Sequence, residues 1–256
     1  MSSDLIRFAL FCHDEERTFT LHSGIVASLS PFVKHAMREL KQTSDETPVY
    51  WVSATLEAFL AFSQFVYTGD YRPIRGRNST LKPTKNTPLD QTDEIMEDDK
   101  TSESEDSEDS EDLRAKTEIK VKLHCAGSEY PSGSKEALNI HLETYNFARV
   151  YRIGSLMKLA LQKMRGSLVD FMKSCPPESE SFIARLISRY CGDIEDEELF
   201  ADTDDMTDLF VWFMAPCWGR FSHNDCFQQI LDDHVHFARD ILKRVMKDKC
   251  HCEQDT

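Results

Sequence analysis

Hydrophobic positions change rhythm several times along the chain, and each change marks an element. Leu5, Ile6, Phe8, Ala9, Leu10 and Phe11 form a nearly continuous apolar run of buried-strand composition. A charged turn over residues 14–17 and a second short run over residues 18–21 complete a predicted β-hairpin. Helical character follows from His22 to about Leu40 and is broken by Ser30-Pro31. Proline suits the first turn of a new helix because its missing N–H has no partner there, so two short helices are predicted. Val49, Tyr50, Trp51 and Val52 are a β-prone run, and Ser53 is a plausible cap for the helix that follows. Its Leu56, Phe59, Leu60, Phe62, Phe65 and Val66 cover most of the circumference, which predicts burial on more than one side.

From Arg72 the pattern fails. Pro73, Pro83 and Pro88 punctuate a basic, polar stretch that leads into an acidic run ending at Asp112. Apolar residues are too sparse there to offset the entropy of ordering, so residues 73–116 are expected to be disordered. Ile119, Val121, Leu123 and Cys125 then alternate with Lys120, Lys122 and His124, the period of a half-buried strand at a sheet edge. After Pro131 and Gly133 helical spacing returns with Leu138, Leu142, Tyr145, Ala148 and Tyr151. Gly154 marks a break, with Ser155 as a cap for a helix through Leu156, Ala160, Met164, Leu168 and Phe171 that ends before Pro176-Pro177. Phe182, Ile183, Leu186, Ile187 and Tyr190 predict another amphipathic helix, and residues 193–205 a loop. Residues 209–218 are strongly apolar. Ser222 with Asp225 resembles a capping box ahead of one terminal helix whose apolar face runs from Phe227 through Ile230, Leu231, His234, Ala238, Ile241 and Leu242 to Val245.

Composition narrows the function classes. The formal charge is −15, yet residues 90–112 hold 13 acidic side chains against one Lys, so the rest of the chain is close to neutral. A nucleic-acid surface needs clustered Lys and Arg on a folded face, and direct nucleic-acid binding is therefore not expected. No apolar run is long enough to cross a membrane, and residues 1–10 lack the features of an export signal, which predicts a cytoplasmic or nuclear protein. Eight scattered cysteines without framework spacing read as free thiols in a reducing compartment.

Two stretches resemble the BTB/POZ family, one on each side of the acidic run. The first holds Leu21-His22, then Ser30-Pro31-Phe32, approximating an H-x-x-x-L-x-x-x-S-P pattern with Ile25 or Val26 in the Leu place. Pro48-Val49-Tyr50-Trp51-Val52 follows, then the helix with Phe59 and Phe65, then Tyr67-Thr68-Gly69-Asp70-Tyr71. The second, His141, Tyr145, Ala148, Tyr151, Ile153, Leu156, Leu159, Ala160 and Leu161, looks like the paired helices that complete the domain in fungal-type members. The resemblance covers about half the chain. It implies an α+β fold with a three-stranded sheet flanked by helices, used for protein-protein contact and carrying no catalytic activity. The domain would comprise residues 4–71 and 118–173, split by an insert at 72–117 and followed by an all-α region at 178–250.

The same resemblance bears on partners. Family members that form strand-swapped homodimers usually carry a helix before the first strand; here only residues 1–4 precede it, so a swapped dimer is not expected. Members that recruit cullin-type ubiquitin ligase scaffolds place a hydrophobic-x-Glu triplet after the second short helix. Here Leu40-Lys41-Gln42 has Gln in that place, while Met37-Arg38-Glu39 comes a turn early, which makes Met37, Glu39, Leu40 and Gln42 the candidate partner-binding residues. The alternative is a transcription- or chromatin-associated scaffold whose acidic insert contacts basic nuclear proteins.

Other chemistry is thinly represented. Cys250-His251-Cys252 with Cys217, His223 and Cys226 lacks the paired spacing of a zinc site, and no metal or cofactor is expected. G-x-S-x-G, H-E-x-x-H and phosphate-cradling glycine loops are missing, so no catalytic residues are assigned. Within residues 101–112, Ser102 has Glu105 three positions on. Ser104 and Ser107 would gain such a neighbour once Ser107 and Ser110 are modified, which makes Ser102, Ser104, Ser107 and Ser110 candidate phosphorylation sites. A contact between this run and the basic flank Arg72, Arg75, Arg77, Lys82 and Lys85 is a second use of the same charge. The aromatic group Phe210, Trp212, Phe213, Trp218 and Phe221 reads first as core and second as a binding patch.

Overall fold

Cross-strand aromatic and aliphatic pairs set the sheet. Strand β1 (Leu5–Cys12) runs antiparallel to β2 (Glu15–His22), with Ile6 opposite Leu21 and Phe8 opposite Phe19. The short β3 (Val49–Val52) runs parallel to the other side of β1, giving the order β2-β1-β3. This computed structural model describes residues 5–12, 15–43, 49–52, 54–74, 129–174, 179–195 and 205–252. Glu16 and Arg17, predicted in the turn, instead pair in β2 with Phe11 and Leu10. An edge strand tolerates them because their side chains reach solvent while the backbone still pairs.

Helices α1 (Ser23–Leu29) and α2 (Pro31–Thr43) follow, separated at Ser30 as the Ser-Pro pair predicts. Helix α3 (Leu56–Thr68) is capped by Thr55, whose Oγ1 accepts from the Ala58 N–H, rather than by Ser53, which lies outside the described residues. Nine residues of α3, from Leu56 to Val66, are buried, as its all-round apolar pattern requires. Phe59 is its hub, with ring centroids 5.5 Å from Phe8, 4.8 Å from Phe19 and 5.7 Å from Phe62. Gly69 ends α3 in the left-handed region, φ 72°, and its N–H returns to the Phe65 carbonyl.

Order then continues further than the sequence predicts. Arg72 N–H donates to Gln64 Oε1, Tyr130 N–H donates to the Pro73 carbonyl at 2.9 Å, and Ile74 bridges Glu129. The start of the insert therefore moves from residue 72 to beyond Ile74, because three consecutive residues find backbone or side-chain partners. The expected disordered stretch beyond it and the expected edge strand at 118–125 lie outside the described residues.

Helix α4 (Lys135–Val150), capped by Ser134, and α5 (Gly154–Ser174) form an antiparallel pair. The break between them falls at Tyr151 and Arg152, not at Gly154, which already begins α5; Arg152 takes the positive φ of 53°. Ile153 N–H to Ala148 O, at 2.7 Å, closes that turn. Helices α6 (Glu180–Glu195), α7 (Asp205–Met214), α8 (Trp218–Phe221), α9 (Asp225–Asp233) and α10 (Val235–Cys252) complete the chain, with a 3₁₀ turn at Ala215–Cys217. Residues 193–195 and Asp205, predicted as loop, belong to α6 and α7, and at the start of α7 the acidic Asp205 complements the helix dipole.

The predicted single terminal helix is two. Asn224, not Ser222, caps α9 by accepting from the Phe227 N–H, and His234 leaves helical geometry between α9 and α10. Asp232 and Asp233 close α9 where the dipole disfavours negative charge, and sit just before α10 where it is favoured. The re-phased α10 buries Phe237 and Ile241 and leaves Leu242 exposed. One connected hydrophobic core runs from Ile6 in β1 to Ile241 in α10, so the C-terminal helices pack on the α4–α5 pair through α6 and α7.

Gly133 shows how tightly the post-insert turn sits on α5. Its φ is 77°, and a Cβ there would lie 2.7 Å from the Phe171 nitrogen and 2.9 Å from the Asp170 carbonyl carbon, whereas a Cβ on Gly69 meets nothing within 4 Å among the described residues. Gly69→Ala is expected to cost about 1–2 kcal/mol, the left-handed penalty alone. Gly133→Ala should cost at least about 1–3 kcal/mol more, because rigid backbone must move. Urea denaturation of both variants tests the ordering, and equal costs would show that the turn can lift off α5.

Candidate functional site: the seam between the two halves and the faces beside it

Most residues that carry the family resemblance turn inward to the seam where residues 15–74 meet residues 129–174. Ser30 is buried, and its Oγ donates to the Tyr151 carbonyl at 2.8 Å while accepting from the Val33 N–H at the start of α2. One hydroxyl thus caps a helix and ties it to the α4–α5 turn. His22 and Tyr67 join β2 to the end of α3: His22 N–H reaches Tyr67 Oη at 3.2 Å, and His22 Nδ1 lies 2.8 Å from the same oxygen. Tyr71, fully buried, shares a 2.9 Å hydrogen bond between its Oη and His141 Nδ1 in α4.

Around that bond the charges are arranged in layers. Lys163 of α5 stands 5.3 Å from the Tyr71 ring centroid and 2.8 Å from the Asp70 carboxylate. The Lys163 hydrogen bond is the main reason that the Asp70 carboxyl titrates below its usual range. Burial pushes the Tyr71 phenol well above its ordinary value, so it stays a neutral hydroxyl. Burial, with a smaller contribution from Lys163, pushes His141 from 6.5 down to about 4, so the imidazole is neutral. A neutral phenol and a neutral imidazole satisfy one another without a buried charge. At the surface Arg72 and Glu129 add an exposed pair at 3.3 Å, weak by itself.

The candidate partner-binding residues divide. Met37 is 5% exposed and belongs to the core, on the same face of α2 as Val33 one turn earlier, so it is unavailable to a partner in this conformation. Glu39 is exposed and pairs with His35 at 3.2 Å. The side chains of Leu40 and Gln42 lie outside the described residues, as do Ser102, Ser104, Ser107 and Ser110. At the other end of α2, a face appears that the sequence did not single out. Phe32 is 42% exposed under the Arg152 guanidinium, 5.6 Å from its ring centroid, and Val150, the last residue of α4, is 49% exposed. Phe32 stands in the Ser-Pro-Phe motif, so its residue type was visible, but its exposure depends on how α4 ends.

The aromatic group of α7 and α8 is mainly core: Phe210, Phe213 and Phe221 are buried, while Trp212 and Trp218 are half-buried against them. Arg165 of α5 lies 4.3 Å from the Trp212 ring centroid. Between α5 and α7, Val169, Met172, Trp212, Phe213, Pro216 and Cys217 line a recess of about 310 Å³ with Lys173 at its rim. Burial pushes the Cys217 thiol up, against the pull of Arg220, which is not the setting of an activated thiolate. Among the described residues no three His, Cys, Asp or Glu side chains are placed to hold a metal ion, and no helix is long and apolar enough to cross a membrane.

Two buried tyrosines should respond oppositely to loss of their hydroxyls. Tyr71→Phe leaves His141 Nδ1 unpaired in the core and is expected to cost about 1–3 kcal/mol. Tyr190, also fully buried, has no hydrogen-bond partner for its Oη among the described residues, so Tyr190→Phe should be neutral or stabilising by up to about 1 kcal/mol. Thermal and urea unfolding of both variants decide it. His141 adds a pH dependence. Unfolded, it takes a proton as pH falls below 6.5, whereas folded it resists until about 4, so in that window the unfolded state binds more protons. Stability should fall as pH drops from 6.5 to 4, by at most about 3 kcal/mol, and be unaffected by this group above that window. A His141→Gln variant whose stability falls equally steeply over that window would show that His141 is not the source.

Neither a protein-family model nor a curated protein matches this chain.

Proposed function

We propose that the chain is a non-catalytic protein-interaction module built on a BTB/POZ-like body with an acidic insert, acting as a scaffold or adaptor in the cytoplasm or nucleus. The observation that carries the interaction reading is the exposed corner of Phe32, Arg152 and Val150, where α2 meets the end of α4. A solvent-facing aromatic with a guanidinium over it, and an exposed aliphatic side chain at the helix end that supplies that guanidinium, has the composition of an interface anchor. Support for the BTB/POZ-like reading comes from the motif residues. Ser30, Tyr67, Tyr71 and His141 make their hydrogen bonds within the fold, to Tyr151, His22 and each other, which gives each a structural reason to recur in that order. The sheet order β2-β1-β3 with helices beside it is compatible with the same reading.

A cullin-adaptor role would use the other end of α2, through Glu39, which is exposed, without Met37, which is not. It makes a separable demand on the surface: Glu39 should matter and Phe32 need not.

Affinity purification from native extract with the intact chain, Phe32→Ala/Arg152→Glu and Glu39→Ala, each first shown to melt as the parent does, tests both readings. Loss of specific partners with the Phe32/Arg152 variant alone is the expected result. Loss of a cullin with Glu39→Ala alone would favour the adaptor. Partners retained by all three would remove both faces from consideration.

A further inference from the structure

We infer that the solvent face of α10 is the docking site for this chain's own acidic segment, residues 89–112. Helix α10 carries two apolar stripes. Phe237 and Ile241, with Val245 one turn further on, face the core. Val235, Leu242 and Met246, with Arg239 among them, recur at four-, three- and four-residue steps along the opposite side, and are 68%, 47% and 68% exposed. Three large apolar side chains in one row on a surface helix mark a face that something covers.

Charge identifies the occupant. Over its length α10 has five Lys and Arg against two Asp, and Arg239 and Lys243 share the single carboxylate of Asp240, at 3.7 and 3.2 Å. Lys247 stands exposed one turn beyond Lys243. Three of the four cations of α5 are already committed, Lys163 to Asp70, Arg165 to the Trp212 ring and Lys173 to Asp170, which leaves Lys158 alone on that helix. A second copy of α10 would bring like charges together. Residues 89–112 carry 13 acidic side chains, and within the same stretch Leu89, Ile95 and Met96 are set among Asp90, Asp93, Glu94, Glu97, Asp98 and Asp99. An apolar stripe bordered by cations thus faces a segment of apolar residues bordered by carboxylates.

Reach is sufficient. The roughly 16 residues from Ile74 to Asp90 can extend about 50 Å, and the return from Asp112 to Glu129 is about as long. A folded body of this size is about 40 Å across. Linked in one chain, the two surfaces meet at an effective concentration far above that of separate molecules. The inference does not rest on the BTB/POZ-like reading, since it uses α10 and the acidic segment alone.

Zero-length carbodiimide cross-linking of the full chain, as an equal mixture of isotopically light and heavy protein, tests it. Mass spectrometry should find Lys243 and Lys247 joined to carboxylates of residues 90–112 within one chain, well above links from Lys34, Lys158 or Lys173. Raising salt from about 50 mM to about 500 mM should weaken these links. Leu242→Asp/Met246→Asp, which keeps both lysines and alters only exposed positions, should reduce them about tenfold, or about 1.4 kcal/mol, with an unchanged melting temperature. Links spread evenly over all lysines, links chiefly between light and heavy chains, dominant links from Lys82 or Lys85, or an unaffected Leu242→Asp/Met246→Asp variant would each overturn it.

Discussion

The ring of Phe147 in α4 lies 5.0 Å from Phe62 and 6.3 Å from Phe59 in α3, and this contact joins two lengths of chain that the insert separates by more than fifty residues. Without it α3 would present an apolar surface on the side away from the sheet, and α4 would have nothing to cover its inner face. Closing a loop of that length costs only about 0.6 kcal/mol more than closing one half as long, because loop entropy grows with the logarithm of length. Three buried aromatic rings, each contributing about 1.5–3 kcal/mol, readily exceed that increment. The fold therefore constrains the insert's ends strongly and its length weakly.

Apolar contact supplies attraction, and the polar ties supply position. A phenylalanine cluster tolerates small shifts, but Ser30 Oγ reaches the Tyr151 carbonyl, and Tyr71 Oη reaches His141 Nδ1, in one register only. Sliding α4 by one turn against α3 would strand a buried hydroxyl and a buried imidazole together, each at the desolvation cost of an unmet hydrogen bond. Lys163 strengthens the same choice from α5 by holding Asp70 at the rim. Tyr151 and His141 stand at the end and the middle of α4, roughly 15 Å apart along its axis, so the approach of the second half is fixed in both translation and rotation.

What the sequence made legible follows from the range of the forces involved. Local patterns survived: the hairpin pairs, the break at Ser30-Pro31, the all-round burial of α3 and the α+β class are carried by periodicity and by residues with restricted backbones. The misplaced points are ones where several nearby residues compete for one local role. Thr55 and Asn224 displaced Ser53 and Ser222 as caps, because each stands just before its helix with a side-chain oxygen in reach of an N–H three residues on. The division of the terminal helix at His234 escaped notice because a continuous apolar pattern hides a change of phase. Met37 showed the converse failure, in which a motif assigned to the surface a side chain that the helix turns inward. The exposed corner at Phe32 could not be read at all, since it exists only once α4 ends beside α2.

That corner and the seam divide the work between them. The motif residues that most resemble a known family are consumed in holding the two halves together, so they bear on fold and say little of whom the molecule meets. Partner choice falls to residues free of interior duties, and those are set by where helices end rather than by what they bury. Phe32, Arg152 and Val150 are exposed because α4 stops and the chain turns through Arg152 at positive φ, which swings the guanidinium over the ring. The strained residue therefore serves the surface as well as the turn: the same backbone geometry that lets α5 double back on α4 also sets the cation on the aromatic. A change in that turn would alter the external face before it loosened the core, because Ile153 and Leu156 anchor α5 independently a few residues on.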